Sequence, residues 1–199
     1  MAKRLQEGEQ RIIEQIPQLT VLSANFEGLG ALTAERDAPD IVDLFTELMQ
    51  ALDNYAGQYA METLKMSGQR YMAVCGLSVL RLDHDKRTVD FALSALTTLH
   101  QFNYKHGTAL SLRIGVHSGS AIAGLMGIDT QSPTYDVWGE SVNIAGYLNE
   151  VASLNTIVVS KDVHDRLSDL YPFRPSTSIE LGDATRIETW VLEEPGRAS

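Results

Sequence analysis

The chain is short of the features that mark several large protein classes. Its 199 residues contain one cysteine, Cys75. No internal disulfide can form, so a disulfide-stapled scaffold is excluded and a reducing, cytoplasmic setting is expected. No apolar run approaches the roughly 18 residues that a membrane-spanning helix needs. The opening residues, Met-Ala-Lys-Arg-Leu-Gln-Glu-Gly-Glu-Gln, hold no apolar core of a signal peptide. Basic residues are scarce: 16 against 26 acidic ones, a formal charge of −10. That excludes a basic coat for nucleic acid and an electrostatic membrane contact by this segment. The glycines Gly115, Gly119, Gly124 and Gly127 are not followed by Lys-Ser/Thr, so they form no phosphate loop. His84, His100, His106, His117 and His164 show no metal-ligand spacing.

What remains is an ordinary globular composition, 44% hydrophobic, in one domain able to bury a core. Residues 3–16 are polar and helix-prone, with Leu5, Ile12, Ile13 and Ile16 apolar and Pro17 as the stop. A strand is predicted over Leu19–Phe26. Pro39 opens a helix whose stripe is Ile41, Leu44, Phe45, Leu48, Leu52 and Tyr55. Met61–Met66 and Tyr71–Leu77 read as a hairpin joined through Ser67-Gly68-Gln69-Arg70. A second helix covers Lys86–Lys105, closed by Gly107. Leu110–His117 alternates as a strand, and Gly119–Met126 is its continuation or a hairpin partner. A helix over Trp138–Ala152, a strand over Thr156–Val159 and a helix N-capped by Ser160 follow. Ser178–Leu181 and Arg186–Leu192 are the last expected strands. The fold class is therefore α+β. Its β-α-β-β-α-β core order is that of ferredoxin-like folds, with extra strands and helices appended.

Four ordered segments carry a resemblance. They are Leu19-Thr20-Val21-Leu22-Ser23-Ala24-Asn25-Phe26, Leu64–Val74, Leu112-Arg113-Ile114-Gly115-Val116-His117-Ser118-Gly119, and Tyr135-Asp136-Val137-Trp138-Gly139-Glu140-Ser141-Val142-Asn143-Ile144-Ala145. Together they resemble the catalytic domain of class III adenylyl and guanylyl cyclases over most of the chain. On that resemblance residues 1–18 are a signalling-helix-like segment, 19–192 the cyclase-like domain and 193–199 a disordered tail. The resemblance implies a head-to-tail pair of domains with nucleotide between them. It also implies two magnesium or manganese ions that neutralise the attacking and leaving oxygens.

Each site position is then carried over singly. The two metal-binding acids of the family fall on Asn25 and Gln69, both neutral amides. Glu27 is the one nearby carboxylate on the same strand face, and it and Arg70 are read as surface residues or as partners of each other. Lys65 and Asp136 match the adenine-specifying pair, and Asn143 matches the asparagine that orients ribose. The phosphate-binding arginine, one helical turn beyond Asn143, is Tyr147 here. The segment Glu180-Leu181-Gly182-Asp183-Ala184-Thr185-Arg186 has no lysine for the triphosphate.

The resemblance therefore implies a cyclase-like domain impaired alone, a pseudoenzyme that dimerises and binds or regulates, with ATP as the candidate ligand. Its family metals are not expected to bind. The alternatives are a slow adenylyl cyclase making cyclic AMP from ATP, or one half of a heterodimeric cyclase with an acid-bearing partner. A structural signalling module with a collapsed pocket is the third.

Overall fold

The computed structural model describes residues 13–126, 134–180 and 186–193. Strand β1 (Ile13–Glu27) leads into α1 (Leu29–Glu35) and α2 (Ala38–Gln58). The hairpin β2 (Met61–Ser67) and β3 (Arg70–Cys75) precedes α3 (His84–His106) and the long β4 (Ser111–Met126). Then come β5 (Thr134–Trp138), α4 (Glu140–Val151), β6 (Thr156–Ser160) and α5 (Lys161–Leu167). Short strands β7 (Arg174–Pro175), β8 (Ile179–Glu180), β9 (Arg186–Ile187) and β10 (Thr189–Glu193) complete the described chain.

The main sheet has the order β2-β3-β1-β4-β6-β10-β7, and β5 pairs with the far end of β4. The first four strands reproduce the expected ferredoxin-like core: β1 is antiparallel to both β3 and β4, and β6 is added parallel to β4.

Strand alternation builds two unlike faces. On β1, Leu22, Ala24 and Phe26 point into the main core with Ile114, Val116, Ile157 and Val159. Helices α2 and α3 cover that face. Helix α2 buries Leu44, Leu48, Leu52 and Ala56, a repeat of four that keeps one side on the sheet. Helix α3 buries Val89, Ala92, Leu96, Leu99 and Phe102 and ends on Gly107 at φ 64°. That left-handed residue lets Thr108 N–H close back on Asn103 O at 3.1 Å.

Helix α4 covers the opposite face, and Gly115 decides how closely. A Cβ there would stand 2.3 Å from both Ala145 O and Asn149 N. The α4 backbone therefore lies directly on β4, and Asn149 reaches β1 with its amide 3.2 Å from Ser23 Oγ.

Several expectations are corrected. Residues 13–16 are not helical; they pair with β4 from Ile13↔Gly124 to Ile16↔Ala121. The register shifts between Ile16 and Leu19, where Pro17, lacking an N–H, is accommodated in the irregularity. The ladder offered by long β4 outweighs a marginal helical pattern. Gly119–Met126 continues β4 rather than turning back. Trp138 ends β5, a strand the apolar pattern did not separate from α4. Ser160 sits at the α5 N-cap position, but its hydroxyl is 2.8 Å from His117 Nδ1 and caps no backbone N–H. Strand β7 was not expected. The reading of residues 3–12 as helix-prone, most of the tail from 194 and most of the triphosphate turn, 181–185, fall outside the described residues.

Candidate active site

Asn25 and Gln69 lie at one end of the β1–β3–β4 ladder, Asn143 and Tyr147 on the outer side of α4, and Lys65 and Asp136 on β2 and β5. Asn25 is opposite Arg70 on β3 and opposite Arg113 on β4. Directly opposed residues of antiparallel strands project to the same face, with Cβ atoms roughly 5 Å apart. Asn25 is thus flanked by a guanidinium-bearing residue on each side. Gln69 lies beside it in the hairpin turn, because Phe26 N–H donates to Gln69 O at 2.9 Å. The two amide positions singled out from the sequence are therefore neighbours.

The arginines face α4. Arg113 donates from Nη1 to Ala152 O at 2.7 Å, at the end of that helix, and its Nε stands 3.2 Å from Glu27 Oε1. That Nε is buried and makes no hydrogen bond, so the Glu27 contact is purely ionic. Arg70 approaches Glu150 of α4 at 3.9 Å. Glu27 and Arg70 do not pair with each other. Glu27 is already committed to Arg113, on the opposite flank of β1 from Arg70. Arg113 and Glu150 were not assigned roles from the sequence. The motif containing Arg113 was visible, but the strand register that sets it beside Asn25 was not.

Lys65 is on β2 at the register position of Met72, immediately after an irregularity between Thr63 and Lys65. Asp136 is on β5 opposite Gly124, and its Oδ1 accepts from the following Val137 N–H at 2.9 Å. Their neighbours Leu64 and Tyr135 pack in one apolar cluster with Met72 and Val137. The β4–β5 arm thus folds over the sheet and brings the stretches carrying Lys65 and Asp136 together. Tyr135 Oη is buried without a partner. Burial, then the nearby Glu14 and Glu62 charges, push its hydroxyl up to about 12.

Asn143 and Tyr147 are both exposed on α4. With Val151 they form one row at spacing four, pointing away from the sheet. Tyr147, Val151 and the following Leu154 are each more than 40% exposed, at 43%, 46% and 45%. The row is an uncovered, partly apolar face. Arg186 is opposite Glu180 in β8–β9, a two-stranded sheet separate from the one that carries Asn25.

A second polar cluster lies on the helix side of the sheet. Thr20 Oγ1 donates to Asp85 Oδ1 at 2.8 Å, so His84 Nδ1, 2.5 Å away, must donate to Thr20. Arg166 Nη1 reaches Asp85 Oδ2 at 2.7 Å and Ser118 Oγ at 2.9 Å. Burial opposes ionisation of Asp85, but hydrogen bonds from His84, Arg166 and Thr20 outweigh it and hold the carboxyl at about 2. The cluster ties α3, β1, β4 and α5 together and contains none of the positions carried over.

Comparison with known proteins agrees with this architecture. The profile of the adenylate and guanylate cyclase catalytic domain matches residues 12–194. An adenylate cyclase of Mycobacterium tuberculosis is 32% identical over 193 residues, covering 96% of this chain and 43% of its own length. The chain thus spans under half of that relative. The membrane guanylyl cyclase of Dictyostelium discoideum is 25% identical over 195 residues, 96% of this chain and 13% of its own length. Among solved structures, adenylyl cyclase CyaB of P. aeruginosa superposes with TM-score 0.85 at 18% identity, covering 94% of this chain and 98% of that one. With nearly the whole length matched by one profile, the chain belongs to the adenylate and guanylate cyclase catalytic domain family.

Proposed function

We propose that this domain is a cyclase-fold signalling module that dimerises and holds an adenine nucleotide but does not cyclise it unaided. The observation that carries the reading is the surroundings of Asn25. Magnesium is a hard cation that prefers carboxylate oxygens. At the positions where the family would supply them stand two amides, Asn25 and Gln69, with Arg70 and Arg113 opposite Asn25. These residues do not fit a pair of divalent cations.

The nucleotide part rests on Lys65, Asp136 and Asn143. Their residue types suit an adenine edge and a ribose, and the packing of Leu64 on Tyr135 supports a shared pocket wall. Dimerisation, head to tail as the resemblance implies, is supported by the uncovered Asn143–Tyr147–Val151 face. Tyr147 is neutral where a phosphate-binding arginine would be needed. The losses remove groups that act on developing charge, each worth about 10²- to 10³-fold in rate.

A second reading is the half-site of a heterodimer, favoured by the retention of Lys65, Asp136 and Asn143 together. An acid-bearing partner would then complete the chemistry.

The test is cyclic AMP production from ATP with excess manganese, beside an Asn143→Ala control, for the domain alone and mixed with an acid-bearing cyclase domain. No turnover alone is the expected result. Turnover alone that disappears in Asn143→Ala would replace this reading with a slow adenylyl cyclase. Turnover only in the mixture would select the heterodimer.

A further inference from the structure

We infer that the Asn25 row is a direct anion site: it takes the phosphate chain of the nucleotide without a bridging metal ion. This rests on the reading that the domain holds an adenine nucleotide. It goes further by assigning a different chemistry to the end of the site where metals would act.

The charges in the row are Arg70 and Arg113 against Glu27 and Glu150. Arg113 is committed. It holds Glu27 and the carbonyl of Ala152, so it acts as a fixed positive charge. Arg70 is not committed in the same way. Its contact with Glu150 is 3.9 Å long, between side chains that are 49% and 59% exposed. Such a contact is screened by water and holds neither partner firmly.

An arriving phosphate can therefore take Arg70 from Glu150. The guanidinium presents a planar fork that matches two phosphate oxygens. Asn25 and Gln69 lie on either side of Arg70, one across the ladder and one in the turn. Their amide groups offer N–H donors and carry no charge to repel phosphate. A magnesium ion at Asn25 would instead stand between two guanidinium-bearing residues, with no carboxylate in the opposed positions. The same substitutions that disfavour the cation thus favour its counter-ion directly.

The experiment is calorimetric titration of the protein with ATP and, separately, with inorganic tripolyphosphate, each in EDTA and in magnesium. Both should bind in EDTA, and magnesium should weaken binding or leave it unchanged. Arg70→Gln should lower affinity in EDTA about tenfold or more, the loss of one charge-assisted contact. Glu150→Gln should raise it, because the competing carboxylate is gone; this gain of function guards against a variant that merely misfolds. Asn25→Asp with Gln69→Asp should reverse the magnesium effect. ATP binding seen only with magnesium would overturn the inference and leave the nucleotide reading standing. ATP binding in EDTA that ignores both Arg70→Gln and Glu150→Gln would overturn the assignment to this row. Absence of ATP binding in either buffer would overturn the nucleotide reading and this inference with it.

Discussion

Asn25 and Arg70 are opposed residues of the antiparallel β1–β3 ladder, so a guanidinium-bearing side chain stands beside the amide at the position where the family resemblance implies a carboxylate. A single acid introduced at Asn25 would stand between Arg70 and Arg113 and would pair with them.

That leads to the first expected outcome, which rests on the proposed function. Asn25→Asp with Gln69→Asp should give little or no cyclic AMP with manganese and ATP. Adding Tyr147→Arg, to return charge to α4, should raise production over the double variant by about 10²-fold, the scale of one electrostatic stabiliser. Strong turnover in the double variant alone would show that Tyr147 is not limiting.

Helix α4 depends on the bare backbone of Gly115. Gly115→Ala places a methyl group 2.3 Å from Ala145 O and Asn149 N, both backbone atoms that cannot swing aside. The expected loss is about 3 kcal/mol, at the upper end for overpacking. Urea unfolding followed by circular dichroism measures it. A loss within experimental error would mean that α4 can lift from β4 freely.

Arg166→Ala strands the Asp85 carboxylate, which is 4% exposed, beside Thr20 and His84. Removing one partner of a buried pair typically costs about 3–5 kcal/mol, and the part-exposed Arg166 puts this one near 3. Arg166→Lys should recover much of that, since one nitrogen, Nη1, makes both contacts, to Asp85 and to Ser118, and an ammonium has donors enough for both.

Stability should fall with acid in two stages. Burial, above all, lowers the His117 pKa below its ordinary 6.5, although Asp162 and Asp85 act the other way. The unfolded chain therefore takes up that proton first, and stability drops as pH falls from about 6.5 through the lower folded value. Asp85 is held at about 2 against an ordinary 3.8. Its stabilising contribution is complete above about 4 and is lost as pH falls towards 2, roughly 2 kcal/mol for a shift of that size. Melting temperatures across pH 8 to 2 test both stages, and His117→Gln should erase the upper one only.

Cys75 is buried in the core, and desolvation pushes its thiol up to about 11. Thiol reagents at pH 8 should leave the folded protein unlabelled and modify it fully in denaturant. Labelling of the folded protein at the rate of a free thiol would contradict this burial.

Local pattern carried most of the fold. The repeats of Leu44, Leu48 and Leu52, and of Val89, Leu96 and Leu99, specified α2 and α3, because a buried helical face repeats every three to four residues wherever it packs. Gly107 marked a helix end by its own conformational freedom. The residue types at Asn25, Gln69, Lys65, Asp136, Asn143 and Tyr147 were likewise read from sequence alone. The conformation of Ile13–Ile16 was not, since a short apolar spacing suits a helix until a long neighbouring strand offers a ladder. Nor were the partners of Glu27 and Arg70. Which charges meet is fixed by the register of strands far apart in the chain, and by where Gly115 lets α4 settle on them. The sequence by itself determined that amides, not carboxylates, occupy positions 25 and 69. Only the tertiary structure decided that arginines stand opposite Asn25, because strand pairing, and not chain proximity, sets Arg70 and Arg113 there.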